Sequence, residues 1–233
     1  GGLARCESLI ARQQGQASNS LLLDNGDFLQ GTPLSDQFFA MKRHTHETHP
    51  MIAAMAQFKY DAVALGHHEF SYSLEYLATS LDAVPFPVLC ANLRPATPDH
   101  NDLWARICTS HVILDRRLRA TDGTLHQVRI GLFAVLPPAV IKWESARLDH
   151  ALAADSILDT AKSTSEALRA DGADVVIALA HSGLVPVSAS GAGENAALEI
   201  AALDTIDLVI AGHTHDVFPN PDGASHPAID TAQ

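Results

Sequence analysis

LLLDNGDFLQGTPLSD, residues 21–36, is the stretch from which the fold can be read. A short run, Ser20 to Leu23, ends in Asp24, Asn25, Gly26 and Asp27, the pattern of a buried parallel strand that delivers a carboxylate at its carboxyl end. Ligands of open α/β sheets gather at that edge. Gly26 lets the backbone turn sharply, and Asp27 carries two hard oxygens on a short side chain, a geometry suited to bridging two cations. Asp, Asn and Gly are also ordinary turn residues, so the stretch alone is consistent with a plain turn. The balance shifts because later strands end in histidine.

Upstream, Leu3 to Gln14 reads as a helix feeding that strand, and downstream Pro33 marks a turn before a helix over Asp36 to Lys42. KRHTHETHP, residues 42–50, carries His44, His46 and His49, and is expected to be a solvated loop that would trap nickel or zinc adventitiously. A helix over Met51 to Phe58 leads to a strand, Ala62 to Leu65, ending in Gly66-His67-His68-Glu69. A helix from Leu74 to Leu81 and a short strand, Val88 to Ala91, complete a β-α-β-α-β alternation that predicts a parallel sheet.

The alternating stretches between Asn101 and Leu125, with a turn at Thr121-Asp122-Gly123, predict an antiparallel excursion. Val128 to Leu136 is a strand stopped by Pro137-Pro138, and Asp155 to Ala170 reads as an amphipathic helix. Asp174 to Ala180 then ends in His181. A Gly/Ala/Ser-rich loop, Pro186 to Gly193, leads to a helix from Asn195 to Leu203, and the strand Leu208 to Ala211 ends in Gly212-His213-Thr214-His215. The tail from Asn220 is turn-rich.

The 233 residues are 47% hydrophobic with no shift in composition along the chain, which predicts one domain with a full core. A formal net charge of -12 with no Lys/Arg cluster argues against binding nucleic acid polymers. A small phosphorylated ligand remains compatible if metal supplies the positive charge. Cys6, Cys90 and Cys108 form neither a paired framework nor a C-x-x-C. No run approaches a membrane span, and the amino terminus has no signal-peptide pattern. Gly1-Gly2-Leu3 is an unnatural start, so the chain is expected to be a piece of a longer one.

Asp27, His67, His68, His181, His213 and His215 all fall just past the ends of four expected strands. A lone histidine at a core edge is usually a hydrogen-bonded core residue, and a His-x-His pair is weak evidence by itself. Six candidates on one rim are harder to dismiss. Imidazoles with a bridging carboxylate suit Mn, Fe, Co or Zn better than Ca or Mg. Two such ions can hold a phosphate ester and acidify a bound water without a protein nucleophile. Neither a G-x-S-x-G elbow nor a G-x-x-x-x-G-K-[ST] loop is present.

These residues resemble the blocks of the calcineurin-like metallophosphoesterases: D-x-H, G-D, G-N-H-[ED], a lone His and G-H-x-H. DNGDFLQGTPLSD, HHEFSYSLEYL, IGLFAVLPPAVIKW, GADVVIALAHSGL and AGHTHDVFP match in order and approximate spacing. The chain looks most similar to the branch containing bacterial 2',3'-cyclic-nucleotide 2'-phosphodiesterase/3'-nucleotidases. The block running from IGLFAVLPP to Trp143 favours that branch over the 5'-nucleotidases.

The resemblance implies an α/β fold, a four-layer α/β/β/α sandwich with mixed sheets, and two divalent transition ions. It implies that Asp27 bridges both ions, that His67, His181 and His213 complete one, and that His215 binds the other. His68 matches the family's catalytic histidine, which contacts the scissile phosphate and helps the leaving oxygen depart. Glu69 would support the site from behind. The expected substrate is a small nucleotide, and relatives of this kind are exported to the periplasm or cell wall.

The chain departs from the family pattern in ways that bear on this. His67 stands where the family has Asn, which predicts tighter transition-metal binding and sharper acid inactivation. Ser71 stands where some relatives carry an Asp partner to the catalytic histidine. The D-x-H block and the carboxy-terminal nucleotide-binding domain have no counterpart in residues 1–233. A 5'-nucleotidase or UDP-sugar hydrolase of the same superfamily, or a non-catalytic remnant of the fold, therefore stay open as alternatives.

Overall fold

The computed structural model describes residues 3–42, 48–82, 84–148, 150–184 and 193–217. His44, His46, most of the loop expected at 186–193 and the tail from 220 lie outside them. Helix α1 (Leu3–Gln16) precedes strand β1 (Leu23–Asp24). Helices α2 (Pro33–Lys42) and α3 (Pro50–Phe58) lead to β2 (Ala62–Ala64), and α4 (Leu74–Leu81) leads to β3 (Val88–Leu89). The three strands pair in parallel in the order β1-β2-β3, as the alternation predicts.

A two-stranded antiparallel ribbon follows, made by β4 (Leu93–Pro95) with a later strand, and then helix α5 (Asn101–Ile107). Strands β5 (His111–Arg119) and β6 (Leu125–Val135) form the expected antiparallel hairpin around residues 120–124. Two short helices, α6 (Val140–Trp143) and α7 (Ser145–Leu148), precede β7 (Leu152–Ala154), the partner of β4. Helix α8 (Ile157–Ala170), β8 (Val175–Ala180), α9 (Ala197–Ala201) and β9 (Leu208–Ala211) complete the described chain. The second large sheet runs β5-β6-β8-β9, with β6, β8 and β9 parallel.

The period of two along the strands divides the core into layers. Ala62, Ala64 and Leu89 of the first sheet meet Ile130, Leu132, Ala134, Ile177 and Leu179 of the second. The other face of the first sheet, through Val63, Leu65 and Val88, packs on Ile52, Met55 and Leu77 of its helices. Phe133, Val135, Val176 and Ala178 face Ile157, Ala161 and Leu168 of α8. Helices therefore cover the outside of two stacked sheets, an α/β/β/α sandwich.

Three local expectations are corrected. Pro33 opens α2 rather than a turn before it, because proline suits the first helical position and Thr32 Oγ1 accepts from Ser35 N at 3.2 Å. Residues 101–107 form α5, helical behind Pro98, where an antiparallel excursion was expected. His49 is buried rather than solvated: its Nδ1 accepts from Met51 N at 3.2 Å and its ring meets Phe38 edge-on. It caps α3.

Beyond β3, fully buried Asn92 stitches the two sheets together at the end where their strands finish. Its Nδ2 donates to Leu136 O at 2.8 Å and its Oδ1 accepts from Leu136 N at 3.0 Å. Asn92→Ala strands both buried groups, at a cost of about 2 kcal/mol or more. A chemical denaturation midpoint indistinguishable from that of the parent chain would contradict this role.

Candidate metal centre

The rim at the carboxyl ends of β1, β2, β8 and β9 holds the candidate site. After β1, Asp24 Oδ1 accepts from Gly26 N at 2.9 Å, Gly26 turns at φ +92°, and Asp27 follows at φ +66°. Non-glycine residues rarely adopt that region. Five do so in the described chain, and Asp27, His213 and His215 are three of them. Strain of this kind concentrates at functional sites.

Glu69, wholly buried, holds the floor. Its Oε2 accepts from Asp27 N and Gly66 N, each at 2.7 Å, and its Oε1 accepts from Phe28 N at 2.8 Å and Leu29 N at 2.9 Å. Burial and the charge of Asp27 push its carboxyl up to about 7, against the backbone N–H groups that favour the ionised form. Gly66 leaves no room for a side chain: a Cβ there would overlap Asp27 Oδ1 and lie 2.8 Å from His181 Cε1.

Onto this floor the side chains converge. His67 Nδ1 lies 3.3 Å from Asp27 Oδ1 and 3.2 Å from His181 Nε2, and His181 Nε2 lies 3.1 Å from Asp27 Oδ2. Asp27 Oδ1 also accepts from His68 N at 3.0 Å. His181 Nδ1 donates to Asn25 O at 2.7 Å, and His213 Nε2 faces Glu194 Oε1 at 3.0 Å. A carbonyl or carboxylate behind each ring is the arrangement that orients metal-binding histidines.

His213 Nδ1 is buried with no hydrogen-bond partner. With Nδ1 engaged by Asn25 O, His181 presents Nε2 toward Asp27 and His67. One potential ligand atom from each of His67, His181 and His213 lies within 4.8 Å of the others, as do those of Asp27, His67 and His68. Nitrogens about 2.1 Å from one ion sit at comparable separations, so the donor set fits a divalent transition metal. His215 lines the same cleft, of roughly 680 Å³, but is exposed and belongs to neither group.

The electrostatics match a site that expects a cation. Burial pushes the Asp27 carboxyl up, but the His181 hydrogen bond and charge, His68 N–H and His67 outweigh it and hold the group down to about 2. Burial and the three neighbouring imidazoles depress His67 to about 4 despite Asp27. His181 is raised, its burial outweighed by Asp27 and Asn25.

Several residues in the site were not found from sequence. Glu194 backs His213, and Asn25 Nδ2 donates to Ala180 O and Ile210 O at 3.0 Å each, tying β1 to β8 and β9. Trp143 stacks on His213 at 5.7 Å and meets His67 edge-on at 5.5 Å. Glu194 follows the Gly/Ala/Ser-rich sequence 186–193 and carries no local signature. In the sequence, Trp143 stands out only as a family marker.

The chain belongs to the calcineurin-like phosphoesterases, whose family model matches residues 1–217. Enzymes of this family use divalent metals. It is 36% identical to a 2',3'-cyclic-nucleotide 2'-phosphodiesterase/3'-nucleotidase of Yersinia enterocolitica, over 100% of this chain and 35% of that protein. It is 35% identical to the trifunctional nucleotide phosphoesterase protein YfkN of Bacillus subtilis, over 96% of this chain and 15% of that protein. The crystal structure of calcineurin-like phosphoesterase YfkN superposes with a TM-score of 0.84 at 35% identity, covering 96% of this chain and 66% of that one. The chain thus spans 15% of the length of the Bacillus protein and about a third of the Yersinia one.

Without metal, the depressed His67 makes a signed prediction. The unfolded chain takes up the His67 proton near pH 6.5, and the folded one only near 4, so this residue's contribution to stability is present above 6.5 and lost as pH falls toward 4. His67→Asn is expected to flatten that part of the stability profile of the metal-free protein. Denaturation midpoints that fall equally steeply in both proteins from pH 6.5 to 4 would contradict it.

Proposed function

We propose that residues 1–233 are the metal-binding catalytic domain of a longer nucleotide phosphoesterase, one that opens 2',3'-cyclic nucleotides to 3'-nucleotides and then removes the 3'-phosphate. The observation that carries this reading is the convergence of Asp27, His67, His181 and His213 at one rim. The name of the Yersinia relative supports the substrate class. By the same resemblance the parent protein would work outside the cytoplasm, and its ligand would be a small nucleotide rather than a nucleic acid polymer.

In this reading Asp27, His67, His181 and His213 hold one divalent transition ion. Asp27 and His215 contribute to a second, together with the D-x-H block that the family carries upstream. Such ions neutralise phosphate charge and lower the pKa of water, which removes the need for a protein nucleophile. The residues of this chain do the rest. Glu69 fixes where Asp27 stands, and the low pKa of Asp27 keeps it ionised. Asn25 and Glu194 fix the faces that His181 and His213 present. His68, tethered through its N–H to Asp27, is the group that meets the scissile phosphate and the leaving oxygen.

Product analysis separates this from its alternatives. The Mn-loaded protein is expected to convert 2',3'-cyclic AMP to 3'-AMP and then to adenosine. Release of adenosine from 5'-AMP, with the cyclic substrate untouched, would support the 5'-nucleotidase reading, which relatives named as 5'-nucleotidases over part of this chain keep in view. A protein that retains metal yet hydrolyses none of these would support the non-catalytic reading, for which His67 in the Asn position is the motive.

A further inference from the structure

Ser71, one turn beyond His68, has a single hydroxyl proton and two neighbours. Its Oγ donates to Glu144 Oε1 at 3.1 Å and lies 3.5 Å from His68 Nδ1. With its proton committed to the carboxylate, the hydroxyl can only accept from the ring. A bond across this gap would then carry its hydrogen on His68 Nδ1 and leave the lone pair of the neutral ring on Nε2. The 3.5 Å separation is long, as such bonds often are before substrate arrives.

Glu144 reaches this position because of the segment that carries it. Helix α6 starts at fully buried Val140 and α7 ends at buried Leu148, so the turn between them is anchored from below at both sides. Arg147 N and Leu148 N bond Glu144 O at 2.8 and 2.9 Å. Two consecutive side chains of this turn then span the rim: Trp143 lies on His213, and Glu144 takes the Ser71 hydroxyl.

We infer that Glu144 is a positioning residue for His68, acting through the Ser71 hydroxyl. The inference rests on the proposed role of His68, and it supplies what that role needs, a fixed tautomer and a negative charge one hydroxyl away from the ring. A carboxylate behind a histidine sets its orientation and steadies its protonated form, and the loss of such a partner is costly. Here the carboxylate comes from an element 73 residues further along the chain, with serine as the link.

The test combines kinetics with a readout that needs no turnover. On Mn-loaded protein, Glu144→Ala is expected to lower kcat for 3'-AMP by roughly 10- to 100-fold with KM within about twofold. It should change the rate on p-nitrophenyl phosphate little, because that leaving group departs without help. Ser71→Asp combined with Glu144→Ala places a carboxylate directly beside Nδ1 and is expected to restore most of the lost kcat. In the metal-free chain, 15N NMR of the His68 ring should report the Nδ1–H tautomer, and Glu144→Ala should shift it toward Nε2–H.

An unchanged tautomer in Glu144→Ala overturns the inference whether or not the chain is active. So does an equal loss on both substrates with no recovery in the double variant, the signature of a merely structural role. An inactive parent chain whose tautomer still follows Glu144 would overturn the functional reading instead and leave the Glu144–Ser71–His68 linkage standing.

Discussion

The buried carboxylate of Glu69 is the interaction on which the rest of the site depends. It collects N–H groups from the turn after β1 and from Gly66 at the end of β2, so two loops that would otherwise carry unpaired buried donors are closed on one side chain. Burying a carboxylate is costly unless it is fully hydrogen-bonded, and here both oxygens are used. Asp27 pays the conformational cost of φ +66° within that clamp, and its carboxylate emerges beside the histidines.

Around that floor, the chemistry of the donors is mutually demanding. Two imidazoles, His67 and His181, and the Asp27 carboxylate are packed at separations of 3.1 to 3.3 Å, with His213 close by, and in this setting His67 is driven to stay neutral while Asp27 stays ionised. A cation relieves that crowding of lone pairs, since each donor then points at positive charge instead of at its neighbours. The groups behind the rings, Asn25 O and Glu194, fix this arrangement through the protein itself.

Period and chain punctuation made much of this legible. The alternation of apolar segments gave the parallel sheet β1-β2-β3 and the strands β6, β8 and β9 with small errors at their ends, because buried parallel strands are short apolar runs bounded by Gly and Asp. Histidines that follow such runs land on one rim, and so Asp27, His67, His181 and His213 could be named together from spacing. Supporting contacts were not legible: Glu144 to Ser71 and His213 to Glu194 join residues 73 and 19 apart, and no local pattern encodes them. Helix α5 was hidden because NDLWARI shows too little period to distinguish it from the strand that follows. His49 looked like part of a polar loop, whereas a capping position had drawn it into the core.

The central claim is that the Asp27–His67–His181–His213 cluster binds a metal ion. Native mass spectrometry of the chain, loaded with Mn and then dialysed, tests it most directly, with Asp27→Ala measured beside it. The account predicts that at least one ion per chain stays with the parent protein and is lost from Asp27→Ala, while the variant remains folded by circular dichroism. A parent chain that retains no ion, or an Asp27→Ala chain that retains as many, would contradict it.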